Sequence, residues 1–354
     1  MELEQEFLFT IIVPCKNEDK YILKCLNSIF NQNFPKNMFE VIIVDGKSED
    51  KTVEIVKKFA IDNPQVNLRI LENHDGIVPK SLNIGIKNAK GEFIVRMDAH
   101  AEYPPDYLEL IYLTYMNYPD VDNVGGKLIA KPGGNSIIAV AISKVISCRF
   151  GIGNSSFRLD IDGIRYADTV PFGAYKKSIF KKIGFFNENL KRNQDLEFNI
   201  RIKRHGGKIL LNPKITVYYY GRRTLKDFFI QNFLNGYWVI YGMKFAPMPF
   251  SFRHIVPLLA LITFVFLLFF SFLYKSCLYL LLMISIIYVS LLIYHSFKLS
   301  SGKLRLYFAL LISFVTLHFS YGLGSVIGAI NLFIHSIGEK LSGALRKNKI
   351  LKKR

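Results

Sequence analysis

Cysteine is scarce in this sequence. The four present, Cys15, Cys25, Cys148 and Cys277, form no Cys-x-x-Cys pair. A disulfide framework and a zinc site are both excluded, and a reducing, cytosolic setting is expected for the soluble part. Internal repeats and low-complexity segments are lacking. The acidic start, Met1-Glu2-Leu3-Glu4-Gln5-Glu6, has neither the basic opening nor the long apolar core of a secretory signal. Acidic residues are few overall: 28 Asp and Glu against 46 Lys and Arg, a formal net charge of +18. Nothing beyond that charge points to nucleic acid. The positive-inside bias of a membrane protein and attraction to anionic headgroups account for it. The tail Lys340, Arg346, Lys347, Lys349, Lys352, Lys353 and Arg354 fits that reading.

Apolar residues, by contrast, are abundant. They make up 50% of the 354 residues, and mean hydropathy is +0.21. The excess is concentrated in 255–337, while 1–250 reads as an ordinary soluble protein. Four domains or segments are expected: a cytoplasmic catalytic domain over 1–224, an interfacial aromatic linker over 225–254, a membrane region over 255–337 and a basic tail over 338–354.

Strands and helices alternate through the first hundred residues. Phe7–Val13, Val41–Val44, Leu68–Leu71 and Phe93–Asp98 are apolar, β-rich runs. Lys20–Asn31 has helical spacing, Ser48 is placed to N-cap a helix through about Asn63, and Pro79 suits the first turn of a helix over Ile77–Ala89. This pattern predicts an α/β fold with parallel strands covered on both faces. Further on, a helix is expected after Pro104-Pro105 to about Tyr118 and a strand over Val121–Ala130. An apolar helix over Ser136–Phe150, a short turn over Ser178–Ile183 and a helix over Asp195–His205 follow. Ile209–Leu211 and Ile215–Tyr220 read as strands. The segment Thr224–Tyr241, with Phe228, Phe229, Phe233, Tyr237 and Trp238, suits either the headgroup interface or an ordinary core. Spans are expected at about 255–274 and 277–297. The stretch 306–337 is long for one span and holds Gly322, Gly324 and Gly328, so a re-entrant element or hairpin is expected there, returning the tail to the cytoplasm.

The most informative stretch is Ile94-Val95-Arg96-Met97-Asp98-Ala99-His100. In a strand, residues two apart share a face. Asp98 and His100 are therefore placed to reach one divalent cation at the strand's carboxyl end, where open α/β sheets bind ligands. Together with the apolar C-terminal region, this points to an enzyme that handles a nucleotide-linked substrate at a membrane surface.

Four motifs in register add a resemblance. Thr10-Ile-Ile-Val-Pro-Cys-Lys-Asn-Glu18 resembles the opening of family 2 glycosyltransferases. Val41–Thr52 resembles that family's Val-Asp-Gly-x-Ser-x-Asp-x-Thr segment. Asp98-Ala99-His100 stands where the family has Asp-x-Asp, and Asn193-Gln194-Asp195-Leu196-Glu197 resembles its later acidic motif. The match covers about residues 8–240. The Asp-Ala-His variant, the stretch Val170–Tyr175 and the C-terminal spans look most like succinoglycan-biosynthesis-type members, which are membrane-associated.

The resemblance implies a GT-A-like mixed sheet flanked by helices. It implies inverting transfer of one sugar from a nucleotide sugar, expected to be a UDP-sugar, to a polyprenyl-linked saccharide, with membrane lipid around the C-terminal helices. Pro14, Asn17 and Glu18 would line the nucleotide pocket, and Asp45 would accept from uracil or ribose. Lys80 and Asn83 are placed to meet sugar or phosphate, a solvated lysine being the plainer reading of Lys80. Asp98 and His100 would hold Mn²⁺ or Mg²⁺, with imidazole favouring Mn²⁺. Asp195 would be the general base, at a helix start whose dipole favours negative charge. An N-cap role is the plainer reading. Glu197 is left as an acceptor contact or a solvated residue, and Arg222 and Arg223 as diphosphate partners or membrane anchors. Gln231 and Trp238 match the Gln-x-x-Arg-Trp motif of processive synthases poorly, which argues against polymerisation. Two rivals stay open: a polyprenyl-phosphate sugar transferase using Arg222, Arg223 and Arg253, and a non-catalytic scaffold that binds nucleotide sugar.

Overall fold

A computed structural model describes residues 7–65, 67–246 and 252–351, with only the backbone described for 252–253 and 338–351. The acidic start over 1–6, residues 352–354 of the basic tail, part of the interfacial linker (247–251) and the side chains of Arg253, Lys340, Arg346, Lys347 and Lys349 lie outside the described residues. The chain divides into two compact units. One comprises Met1–Gly133 and Ile146–Gly221; the other comprises Gly134–Val145 and Arg222–Arg354.

The first unit is built on a nine-stranded sheet. Its strands are β1 (Phe9–Cys15), β2 (Phe39–Asp45), β3 (Asn67–Glu72), β4 (Phe93–Arg96), β5 (Ala101–Glu102), β6 (Asn123–Lys131), β7 (Arg165–Tyr166), β8 (Ala174–Lys176) and β9 (Ile209–Tyr220). The order is β3-β2-β1-β4-β8-β6-β9-β5, with β7 also on β9. The first four strands in that order are parallel; β8 runs antiparallel to β4 and β6, and β6 is parallel to β9. The sheet is therefore mixed, as the resemblance implied.

Helices α1 (Ile22–Phe30), α2 (Thr52–Asp62), α3 (Val78–Lys87), α4 (Tyr107–Asn117), α6 (Arg149–Ile152), α7 (Lys177–Ile183) and α8 (Gln194–Arg204) belong to this unit, and α5 (Ile137–Val145) to the other. Alternation along the strands feeds two cores. Phe9, Ile11, Val13, Val41 and Ile43 pack with Leu26, Ile29, Phe59 and Leu108. Ile12, Ile42 and Val44 pack with Leu82, Ile86, Phe180 and Phe198. Side chains on both faces of β1 and β2 are thus removed from water, which is why these strands read as continuous apolar runs.

Several local expectations are corrected. Ser48 does not cap α2, which begins at Thr52; its hydroxyl is bonded to Asp45 instead. The turn expected over Ser178–Ile183 is helix α7. The single helix expected over Ser136–Phe150 breaks into α5 and α6. The two strands expected over 209–220 are one strand, with a register shift against β6 between Gly125 and Lys127.

The second unit holds α5, α9 (Leu225–Tyr241), α10 (Phe252–Ser271), α11 (Lys275–Ser300) and α12 (Leu304–Leu351). Three stretches are long and apolar enough to cross a membrane: His254–Ser271, Lys275–Ser300 and Leu304–Ile337. In place of the re-entrant element or hairpin expected over 306–337, the chain forms one continuous helix, α12. The glycines taken as interruptions are packing positions. A Cβ at Gly324 would lie 2.0 Å from the Phe233 carbonyl oxygen, and one at Gly236 would lie 2.1 Å from that of Tyr321. Only glycine lets the backbones of α9 and α12 approach this closely, the small-residue packing used between apolar helices. The face of α9 carrying Phe228, Asn232, Gly236, Val239 and Ile240 is buried.

Candidate active site

The loops that leave the carboxyl ends of β1, β2 and β4 are bound to one another. Asn17 sits in the left-handed region with φ 55°. Its N–H donates to the Ser48 hydroxyl at 2.9 Å, and its side-chain oxygen accepts from the Glu49 N–H at 2.9 Å. The Glu18 N–H donates to the Thr52 hydroxyl at 2.7 Å. Asp45, the buried last residue of β2, accepts from the Ser48 hydroxyl at 2.6 Å and the Ser48 N–H at 3.1 Å. Asp45 thus closes the turn and remains at the sheet edge with acceptor capacity left on its carboxylate. Pro14 pairs with Val44 beyond the last residue of β1 that pairs with β4, so its missing N–H breaks no bond to that strand.

Asp98 and His100 do not lie in a strand. Strand β4 ends at Arg96, and both residues fall in the turn before β5, so the same-face argument made for a strand does not apply. Tertiary contacts orient them instead. His100 Nδ1 lies 3.0 Å from Glu18 Oε1, and its ring stands edge-on to Tyr219 with centroids 5.5 Å apart. Burial opposes the charged imidazole, but the bond to Glu18, with Tyr219 and Asp98 nearby, pushes its pKa up to about 9. The Glu18 bond uses Nδ1, so any further partner would meet His100 at Nε2.

Asp98 is gripped by Arg96, a residue the sequence reading passed over. Arg96 Nε and Nη2 donate to Asp98 Oδ1 and Oδ2 at 3.0 and 3.2 Å. Its Nη1 lies 3.8 Å from Asp195 Oδ2. Burial works against the guanidinium, yet Asp98 and Asp195 hold it charged. The available signal was an arginine in an otherwise apolar strand, two residues before Asp98. Asp195 is the second residue of α8, not its cap: Asn193 is the cap, with φ 60°, and Asp195 Oδ1 accepts from the Leu196 N–H at 2.9 Å. Four of the five non-glycine residues with positive φ among those described, Asn17, Lys47, Phe172 and Asn193, adjoin these elements. Backbone held in that region is costly and tends to cluster at functional sites.

Other candidates have structural roles. Asn83 is buried and commits its amide to the Phe186 carbonyl, the Phe186 N–H and Glu188, tying α3 to the segment after α7. Its expected role in binding sugar or phosphate is replaced by this tether. Lys80 is partly exposed and pairs with Asp75. Glu197 is neither solvated nor open to ligand: it is buried and bonded twice to Arg201, which also donates to the carbonyls of Ile183 and Phe185. Arg222 Nε donates to Gln231 at 3.2 Å. Among the described residues no three His, Cys, Asp or Glu side chains converge tightly enough to hold a metal by themselves.

Comparison with known proteins agrees with this geometry. The family model described as Glycosyl transferase family 2 matches residues 10–184. The chain is 36% identical over 232 residues, 64% of its length and 71% of the relative's, to dolichyl N-acetyl-alpha-D-glucosaminyl phosphate 3-beta-D-2,3-diacetamido-2,3-dideoxy-beta-D-glucuronosyltransferase of Methanococcus voltae. It is 29% identical over 228 residues, 64% of its length and 67% of the relative's, to the succinoglycan biosynthesis protein ExoA of Rhizobium meliloti (strain 1021). In fold it resembles the mannosyltransferase PcManGT from Pyrobaculum calidifontis, solved with GDP-Man and Mn²⁺, with a TM-score of 0.60 and 17% identity over 91% of this chain and 87% of that one. The chain belongs to glycosyltransferase family 2. It is an enzyme, a glycosyltransferase with a GT-A-like domain and three C-terminal helices able to span a membrane.

Proposed function

We propose that the protein transfers one sugar, with inversion, from a nucleotide sugar to a lipid-linked saccharide, with its catalytic unit on the cytoplasmic side of a membrane. The observation that carries this reading is the Arg96 ion pair to both Asp98 and Asp195, with His100, two residues beyond Asp98, bonded to Glu18. A UDP-sugar is the donor we favour, with Pro14, Asn17 and Glu18 around the nucleotide and Asp45 accepting from uracil or ribose. The name of the archaeal relative describes a transferase acting on a dolichyl phosphate-linked sugar, and apolar helices in this chain suit an acceptor carried by lipid.

The donor set fits a divalent cation. One carboxylate and one imidazole already oriented by Glu18 would hold it, with phosphate oxygens of the donor completing its shell. A cation bound there supplies neutralisation of the charge on the leaving diphosphate. Asp195 then acts as general base. It takes the acceptor hydroxyl's proton as that oxygen bonds to the anomeric carbon, and the bond from that carbon to the diphosphate oxygen breaks, its electron pair leaving with the nucleoside diphosphate.

The test is donor turnover. Purified protein in detergent is incubated with UDP-, GDP- and dTDP-sugars and lipid extract, with Mn²⁺, Mg²⁺ or EDTA, and nucleoside diphosphate release is followed. Metal-dependent release from one donor, lost in Asp98→Ala, is expected. Absence of release from every donor would overturn the reading, and a lipid product carrying a single sugar on its phosphate would move it to a polyprenyl-phosphate sugar transferase.

A further inference from the structure

Arg96 is only partly satisfied. Nε and Nη2 hold Asp98, but Nη1 is a buried donor with no hydrogen-bond partner among the described residues. The 3.8 Å between Nη1 and Asp195 Oδ2 is an ion-pair distance, too long for a hydrogen bond. The guanidinium carbon lies 5.8 Å from the centre of the Phe172 ring, that residue being held at φ 47°. A buried N–H left unpaired is costly, so this group is built to receive an oxygen that the described residues do not bring within reach.

The two oxygens that Arg96 occupies are those a cation at Asp98 would need. A guanidinium and a divalent cation on one carboxylate repel each other, and strongly so in a site shielded from water. An entering diphosphate changes that balance. Its negative oxygens match the planar donors of arginine. They also offset the repulsion between the two positive groups.

We infer that Arg96 is a positioning residue that makes cation binding depend on the nucleotide: its guanidinium guards Asp98 until a nucleoside diphosphate gives Nη1 an acceptor and releases the carboxylate to the cation. This inference rests on the reading of Asp98 as a cation ligand. Coupling between two ligands is reciprocal and commonly 5- to 150-fold in affinity, so the nucleotide should tighten the cation by about that factor, and the cation the nucleotide equally.

Mn²⁺ binding to the full-length protein in detergent, followed by the electron paramagnetic resonance of free Mn²⁺, tests it without recourse to activity. Titrations are run alone and with UDP, GDP or dTDP. Wild-type protein is expected to bind Mn²⁺ at least about 5-fold more tightly with one of these nucleotides. In Arg96→Gln, affinity for Mn²⁺ alone should rise several-fold and the enhancement by nucleotide should shrink towards none. Arg96→Lys keeps the charge but loses the two-pronged grip, and should fall between the two; it serves as the probe if the glutamine variant does not fold. A merely structural role for Arg96 would weaken Mn²⁺ binding or leave it alone, with the enhancement unchanged, and that result overturns the inference. Asp98→Ala separates the two levels. If it leaves Mn²⁺ binding intact, the assignment of the cation to Asp98 has failed and the inference falls with it; if it abolishes binding while Arg96→Gln retains full enhancement, only the inference has failed.

Discussion

The sheet-bearing unit buries charge: Glu40, Asp45 and Glu197 are all inside. The helical unit instead buries small neutral groups such as Ser313, Ser325 and Asn232. The partners differ as well. Glu40 accepts from the Thr10 hydroxyl at 2.7 Å, the Arg69 guanidinium at 2.7 Å and the Lys90 N–H at 2.6 Å, three segments remote in sequence. Ser313 donates to Ala309 at 2.7 Å, Ser325 to Tyr321 at 3.0 Å and Asn232 to Phe228 at 2.7 Å, each four residues back in its own helix. Their exteriors differ in the same sense. Only 11% of each apolar window of α10 and α11 is buried, against 44% for α12, so the outer surface of that pair is made of Leu, Ile, Val and Phe. Where water surrounds a unit, distant loops can bring partners to a buried charge. Helices apolar enough to cross a membrane must satisfy their polar groups within the protein.

The largest effect expected from challenging this contrast lies in chemistry. Asp195→Asn should lower turnover about 10²- to 10⁴-fold while leaving nucleotide affinity within 2-fold or so of wild type. Initial rates and nucleotide titration separate the two, and full turnover in this variant would show that Asp195 is not the general base. Next comes the buried charge. Glu40→Ala strips an acceptor from Thr10, Arg69 and Lys90 and should cost about 3–5 kcal/mol, read as loss of the sheet unit's thermal transition.

A matched pair of substitutions then tests the exteriors. Val265 on α10 is 57% exposed and Ile61 on α2 is 78% exposed. Val265→Lys should cost about 2.5–3.5 kcal/mol in membrane insertion, whereas Ile61→Lys should change stability by less than about 0.5 kcal/mol. Equal tolerance of both in an insertion and extraction assay would show that the exposed face of α10 is not turned to lipid. Gly324→Ala sets a methyl group against the Phe233 carbonyl and should destabilise the α9–α12 contact by about 1–3 kcal/mol. An unchanged melting temperature in detergent would show that the two backbones have room to part.

Much was legible from local pattern. Apolar runs marked β1 to β4, helical spacing marked α1, and Pro79 marked the first turn of α3. These signals survive in sequence because they depend on neighbours along the chain. Ser48 was misjudged because a serine before a helix looks like a cap, and its preference for Asp45 depends on how β2 ends. Glu197 and Asn83 were misjudged because a polar residue on a helix gives no sign of what a later segment will pack against it. Gly322, Gly324 and Gly328 look like breaks because their value lies in other helices far back in the chain, Gly322 against Pro257, Gly324 against Phe233 and Gly328 against Tyr237.

The sequence by itself determined the α/β alternation and the apolar C-terminal helices, which follow from periodicity, and the family, through motifs that resemble its members. Only the tertiary structure decided that Arg96 stands between Asp98 and Asp195, that Glu18 orients His100, and that α12 runs unbroken against α9. Those outcomes turn on distances of a few ångströms between residues tens of positions apart, and hydrogen bonds, ion pairs and close backbone contacts fall away too steeply with distance for sequence spacing to specify them.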